Sequence, residues 1–411
     1  MDSYPDEGVG GPLRGQSPDR GVAGWAPPAN HGGVLVTRPA EIRRRRDELV
    51  LAVQRVDDAV AVFGAASARL RRLVPFDAAV WLTTDPGTGL PTAPTLADSL
   101  ELDGDREQCS AMWRREFLVA DVNLYRDLAR AEVPAAALRA TVADPGQSAR
   151  YREFLDPQGF SDELRAVLRV GDSPWGAINL FRRRGQTPFT QAETELVASL
   201  SAPLGEALRV RARPADPLGG LAPAGRPGLL LFDRDGALVS ANAEARAWLA
   251  ELPADQDLPS DLDVGVPMWL LGTVFQAVAR GRGDGTARSR VRTRRGTWLV
   301  CHASLLRDAD GALTSIAVVI EPAKATEIAP IIVQAYDLTD REQQITRLIA
   351  RGAGTAEIAD ELFLSAHTVR DHVKAIFSKV GVSSRGELVA KLFAEHYEPA
   401  HLQDVVRAHR N

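Results

Sequence analysis

The stretch Leu338–Phe393, LTDREQQITRLIARGAGTAEIADELFLSAHTVRDHVKAIFSKVGVSSRGELVAKLF, carries unusually clear helix punctuation. Thr339 and Glu342 have capping-box spacing, so a first helix is expected from about Asp340 to Arg351, with Ile345, Leu348 and Ile349 on its inner face. Gly352 and Gly354 stop it. Thr355 is placed to cap a second helix, with Ile358, Ala359 and Leu362 inward, and Phe363-Leu364 makes the turn. Ser365 caps a third helix that Gly381 terminates. Along it Val369, Val373, Ile376 and Val380 recur at helical spacing, leaving Arg370, Asp371, Lys374 and Ser378 on other faces. Ser384 and Glu387 form another capping box, for a fourth helix with Leu388, Leu392 and Phe393 apolar.

Two short helices joined by a tight turn, the second presenting cations near its start, describe a helix-turn-helix. The third helix needs one apolar face to anchor it and another face free to enter a major groove, which admits one α-helix. Long cationic side chains there reach guanine edges or phosphates. Hydroxyls at the helix start bond phosphate beside free backbone N–H groups. The pieces LTDRE, GAGTAEIADELFLSAHTVRDHVKAIFSKVGV and SSRGELV closely resemble the LuxR/FixJ-type (NarL-like) helix-turn-helix.

The resemblance implies that the third helix is the recognition helix. Arg370 then reads bases together with Asp371 and Lys374, while Ser365, Thr368 and Lys379 position the DNA backbone; Val369 and His372 complete the candidate contact set. A dimer contact falls on the fourth helix, at Leu388 and Leu392. Asp371 departs from a simple cationic surface: it either accepts from a cytosine N4 donor, pairs with Arg370 or Lys374, or excludes wrong sequences. His372 touches phosphate or packs as a hydrogen-bonded core histidine. Charge is segregated, with Arg370, Lys374 and Lys379 on the third helix and Glu357, Asp360 and Glu361 on the second.

Upstream, two α+β units precede this all-α module. In residues 41–213, Val53, Val56, Val60 and Phe63 continue one helical pattern from Glu41, and the run Arg43–Arg46 is either a nucleic-acid patch or, more commonly for such runs, a solvated helix face. Ala78–Thr83 is a strand ending in the turn Asp85-Pro86-Gly87, and two helical stretches cover roughly 105–140. Leu164–Val170 and Trp175–Arg182 make a hairpin. Thr190 and Glu193 then cap a helix with Leu196, Leu200, Leu204 and Leu208 on one stripe. The ending WGAINLFRRRGQTPFTQAETELVASLSAPLGEAL resembles a GAF domain.

In residues 228–325, Leu229–Phe232, the Asp235-Gly236 turn and Leu238–Ser240 read as a hairpin, and Asn242 caps a following helix. A second helix near Pro267–Arg280 leads to strands Thr286–Thr293, Trp298–Leu306 and Leu313–Ile320, with turns at Arg295-Gly296 and Asp310-Gly311. This succession, and LLLFDRDGALVSANAEARAWL above all, resembles a PAS domain. No internal repeat relates the two units. Residues 1–40 and 399–411 are expected as tails, the first disordered, and residues 214–227 and 326–335 as linkers.

The 411 residues carry 49 Lys plus Arg against 54 Asp plus Glu, a net charge of -5, which excludes a uniformly basic chain that coats nucleic acid but leaves room for a local cationic face. Two cysteines, Cys109 and Cys301, far apart in the chain, argue against disulfides, zinc sites and iron–sulfur clusters, and suit a reducing cytoplasm. No apolar run approaches a membrane span, and the Gly/Pro-rich, acidic start is unlike a signal peptide. Val56-Asp57-Asp58 lies in a helical pattern, so it is not the acidic pair of a phospho-receiver. Cys301 and His302 are neighbours in a strand and point to opposite faces. Gly281–Gly285 is a turn, and no phosphate loop or nucleophile elbow is present. Trp81, Phe117, Tyr125 and Trp175 are either core aromatics or the lining of a ligand cavity in the first unit.

These residues describe a non-enzymatic, one-component transcriptional regulator in the cytoplasm, associated with the bacterial nucleoid and requiring no cofactor. Its expected partners are double-stranded DNA half-sites, a second copy of itself, RNA polymerase and a small-molecule effector, with no membrane. The alternative is a signalling scaffold that binds a protein partner through its first two units, with DNA binding secondary.

Overall fold

The computed structural model describes residues 39–100, 106–213, 226–253, 257–258, 260–281, 285–324, 327–328, 331 and 334–393. The expected tails 1–40 (apart from 39–40) and 399–411, residues 214–225 of the first linker, and residues 282–284 of the Gly281–Gly285 turn lie outside the described residues.

The helical pattern expected to run on past Val53 is broken. α1 (Pro39–Gln54) and α2 (Ala59–Leu70) flank an acidic corner, where Asp58 adopts extended backbone and accepts from Ala61 N at 2.8 Å. The Asp side chain competes for backbone donors better as a cap than within a helix, so the chain restarts there. Val53 and Phe63 are fully buried while Val60 is 42% exposed.

β1 (Ala78–Thr84) is buried on both faces. It pairs with β2 (Pro91–Asp98), an edge strand whose two prolines hide it from a propensity reading. The second helical stretch expected within 105–140 is not formed. After α3 (Arg106–Leu118) come only the short turns α4 (Tyr125–Leu128) and α5 (Leu138–Thr141), with strand β3 (Ala135–Ala137) between them. Alanines carry no period, so local propensity gave way to sheet pairing with β4 (Phe160–Val170). β4 and β5 (Ser173–Arg183) form the expected hairpin through Gly171, whose φ of +58° suits glycine. α6 (Gln191–Arg211) has the full Thr190–Glu193 capping box and buries Leu200, Leu204 and Leu208 across the sheet.

The second unit comprises β6 (Gly228–Phe232), β7 (Leu238–Ala241), α7 (Ala243–Glu251, capped by Asn242), β8 (Asp257–Leu258), β9 (Val266–Pro267), α8 (Met268–Ala279), β10 (Thr286–Arg292), β11 (Trp298–Arg307) and β12 (Leu313–Pro322). The two five-stranded sheets run β2-β1-β5-β4-β3 and β7-β6-β12-β11-β10. Counted within each sheet, the strand order is therefore the same, although the sequences show no repeat.

The units share a core. Val80, Leu82 and Trp113 of the first belong to one buried cluster with Phe232, Trp269 and Phe275 of the second. A Cβ at Gly272 of α8 would overlap the Pro91 ring of β2, so glycine permits that close approach. Asp85 and Arg290 cross the same boundary as an ion pair at 2.7 Å, with both side chains essentially buried. Cys301 is fully buried, and burial pushes its thiol up to about 12; His302, on the opposite face, lies 3.5 Å from Glu327. Among the described residues no helix is long and apolar enough to cross a membrane.

Candidate nucleic-acid interface

Four helices close the chain: α9 (Asp340–Ala350), α10 (Thr355–Glu361), α11 (Ala366–Val380) and α12 (Arg385–Phe393). α9 starts at a complete capping box, in which Glu342 N donates to Thr339 Oγ1 at 3.3 Å and Thr339 N donates to Glu342 Oε2 at 2.7 Å. Gly352, with φ +88°, turns the chain out of it. α10 is capped differently from expectation. Gly354 is the N-cap, with its N–H donated to Glu357 Oε2 at 2.6 Å, and Thr355 instead accepts from Arg385. A glycine offers no side-chain cap, so only the carboxylate half of the motif forms.

The turn into α11 places Phe363 at φ +55° and 94% exposed. Ser365 caps α11 by accepting from Thr368 N at 3.0 Å, and the two hydroxyls lie 2.9 Å apart. Gly381 ends the helix in the left-handed region at φ +70°. Val369, Ile376 and Val380 are buried together with Ile345, Leu348, Ile358, Leu388 and Leu392. That packing leaves Arg370, Asp371 and Lys374 exposed on the outer side, below the two hydroxyls at the helix start. A surface of this kind, one helix wide and cationic, matches a major groove about 12 Å across. Ser365, Thr368, Arg370, Asp371 and Lys374 thus lie on one accessible strip.

Four expectations are corrected. Val369 is fully buried, so it anchors the helix and cannot reach DNA. Lys379 turns inward, donating to Glu342 Oε2 at 2.7 Å and to the Asp337 carbonyl at 2.9 Å; it ties α11 to α9. Asp371 pairs with neither Arg370 nor Lys374, because His367, one turn earlier, holds it through Nδ1 at 2.9 Å. Leu388 and Leu392 are fully buried inside the protomer, so they offer no dimer surface. His372 is half-buried. At α12, Ser384 accepts from Glu387 N as expected, and Glu387 reaches back chiefly to Ser383 N and Oγ. Those Ser383 hydrogen bonds hold the Glu387 carboxyl below the usual range. Burial pushes Glu342 up, but hydrogen bonds from Lys379 and Thr339 outweigh it and leave the carboxyl lowered.

The sequence reading passed over His367, whose i,i+4 spacing to Asp371 was the available signal. The four aromatics proposed to line a cavity do not converge. Trp81 is buried against α2 and donates to Ser67, and Trp175 lies in that same cluster. Phe117 and Tyr125 pack on the other face of the sheet, where Tyr125 Oη donates to Asn179 at 2.9 Å. The space beside Tyr125 is filled by the buried ions Glu116, Arg150, Glu163 and Arg165, and burial pushes the Tyr125 hydroxyl up to about 12.

The family profile described as GerE, bacterial regulatory proteins, luxR family, matches residues 337–392. The spore germination protein GerE of Bacillus subtilis is 42% identical over 55 residues, which cover 13% of this chain and 74% of that protein. This chain belongs to the luxR family of bacterial regulatory proteins. Within it, the transcriptional regulatory protein DesR of Bacillus subtilis is 40% identical over 58 residues, 14% of this chain and 29% of that one. The oxygen regulatory protein NreC of Staphylococcus aureus is 48% identical over 52 residues, 13% and 24%. This luxR-family chain therefore spans most of GerE but under a third of DesR and NreC. Similarity to solved structures is low. Escherichia coli SdiA gives a TM-score of 0.33 at 14% identity, covering 86% of this chain and 97% of SdiA. A GAF domain/HD domain protein from Geobacter sulfurreducens gives 0.27 at 21%, covering 37% and 92%.

Proposed function

We propose that this luxR-family protein is a sequence-specific transcriptional regulator that acts as a homodimer on paired promoter half-sites, in contact with RNA polymerase, in the bacterial cytoplasm and nucleoid. The observation that carries the reading is the two-sided α11. One side is buried in the helical core, and the other presents Ser365, Thr368, Arg370, Asp371 and Lys374 to solvent. Arg370 and Lys374 read base edges, and the hydroxyls hold phosphate. One such helix supplies modest, salt-sensitive affinity, which two copies on spaced half-sites raise.

The units before it, read as GAF-like and PAS-like, sense or assemble rather than catalyse. Support comes from the five-stranded antiparallel sheet each carries and from the core they share. Selection of bound fragments from a genomic library by the full-length protein tests the proposal. A shared motif in two spaced copies is expected, and fragments without any common motif refute it.

A further inference from the structure

A half-open cleft of about 750 Å³ lies where the two sheet-bearing units meet the connector to the helical domain. That volume falls within the range of about 300–1,000 Å³ typical of small-molecule sites. Its floor is apolar, built from Trp175 and Leu208 of the first unit, Trp298 of the second and Ile331 of the connector. Its charged groups are mostly cationic, five arginines against Asp57, Asp58 and Asp85. Asp85 pairs with Arg290 at 2.7 Å and Asp58 caps α2, while Asp57 and Asp58 also act electrostatically on Arg211, so the lining carries five cations against three anions.

Two of the other arginines bond to backbone carbonyls rather than to a carboxylate. Arg211 donates to the carbonyls of Val53 and Val56, and Arg294 to that of Ala250. A carbonyl satisfies an N–H without cancelling the cation, and neither arginine forms an ion pair among the described residues. Moreover, the cleft-lining side chains contribute two buried donors with no acceptor, Trp175 Nε1 and Arg211 Nε. Buried donors are seldom left unpaired, and both call for an acceptor rather than another donor.

We infer that this cleft binds an amphipathic monoanion, an apolar body with a carboxylate head group. The body covers Trp175, Leu208 and Trp298, and the head group meets Arg211 and Arg294, with Arg295 at the rim. The cleft is separate from the space beside Tyr125, which is filled by its own ions. Occupancy bears on the helical domain because Trp298 packs against both the first unit's core and the helical core, and Ile331 belongs to the connector. That last step, use as an effector site, rests on the DNA-binding reading; the binding itself does not.

Calorimetric titration of the full chain with decanoate, below its micelle concentration and without DNA, tests the site. Saturable one-to-one binding is expected, at least tenfold tighter than for decanol, with no binding of acetate. The R294E/R295E double variant, which also loses the Arg294 bond to the Ala250 carbonyl and the Arg295–Glu251 pair, should bind decanoate at least tenfold more weakly while still folded at the titration temperature, as its unfolding curve checks. No saturable decanoate binding, equal affinity for decanol, or indifference to charge reversal overturns the inference. Loss of sequence preference in the fragment selection would instead refute the regulator reading and leave this result standing.

Discussion

Lys379 and Glu342 meet at 2.7 Å, joining α11 to the start of α9, with the carboxylate side chain only 6% exposed. Glu342 also accepts Thr339 N in the capping box, so one carboxylate fixes both a helix start and a helix crossing. Lys379→Met leaves that carboxylate short of a charged partner and should destabilise the helical domain by about 1.5–3 kcal/mol. Denaturant unfolding of the full chain, followed by helical circular dichroism, measures it. DNA affinity extrapolated to the fully folded protein should hardly change; a large loss there would return Lys379 to the DNA surface.

Acid should loosen the same domain. Glu342 is lowered in the fold, and so is Asp337, chiefly through its hydrogen bond from Arg209. A carboxyl lowered on folding contributes stability that is complete above its unfolded value, about 4. The contribution is lost as pH falls through the lower folded value. Unfolding midpoints should therefore be flat down to about pH 5 and fall below it. Glu342→Gln should flatten that fall.

Arg370→Ala should weaken specific binding by about 1–3 kcal/mol and relax base choice at one position. Asp371→Ala acts in the opposite direction. It removes a negative charge that His367 holds on the exposed side of α11, so on the proposed reading binding to random DNA should tighten by about 1 kcal/mol. Competition assays between operator and random DNA at fixed salt separate the two. Tighter discrimination by Asp371→Ala would contradict its role as an excluding charge.

Leu388→Ala and Leu392→Ala should each cost about 2–5 kcal/mol of stability, because both side chains sit in the core. Sedimentation of the folded fraction should show the wild-type oligomeric state. A folded, stable variant that fails to self-associate would place the dimer contact on these leucines after all.

Asp85→Ala strands a buried guanidinium between the first two units. The expected cost is about 3–5 kcal/mol, and calorimetry should show one transition for the wild type and two for the variant as the units uncouple. The double replacement Asp85→Leu with Arg290→Met should restore much of the stability.

The sequence by itself determined the helical domain. Its caps, glycine stops and apolar spacing are local signals, and Thr339, Ser365 and Gly381 occupy the expected cap positions. The hairpins and the helix after Thr190 were legible for the same reason. Long-range pairing was not. β2 is interrupted by two prolines and β3 is three alanines that no period marks, and both exist because a neighbouring strand completes their hydrogen bonds. Only the tertiary structure decided where charges go. Lys379 and Arg370 both look like DNA-reaching cations in the sequence. Burial of Glu342 beneath α11 draws one inward, while the other faces solvent. The cleft of arginines around Trp175 likewise assembles from segments more than 200 residues apart, Asp57 to Ile331; folding alone brings them together.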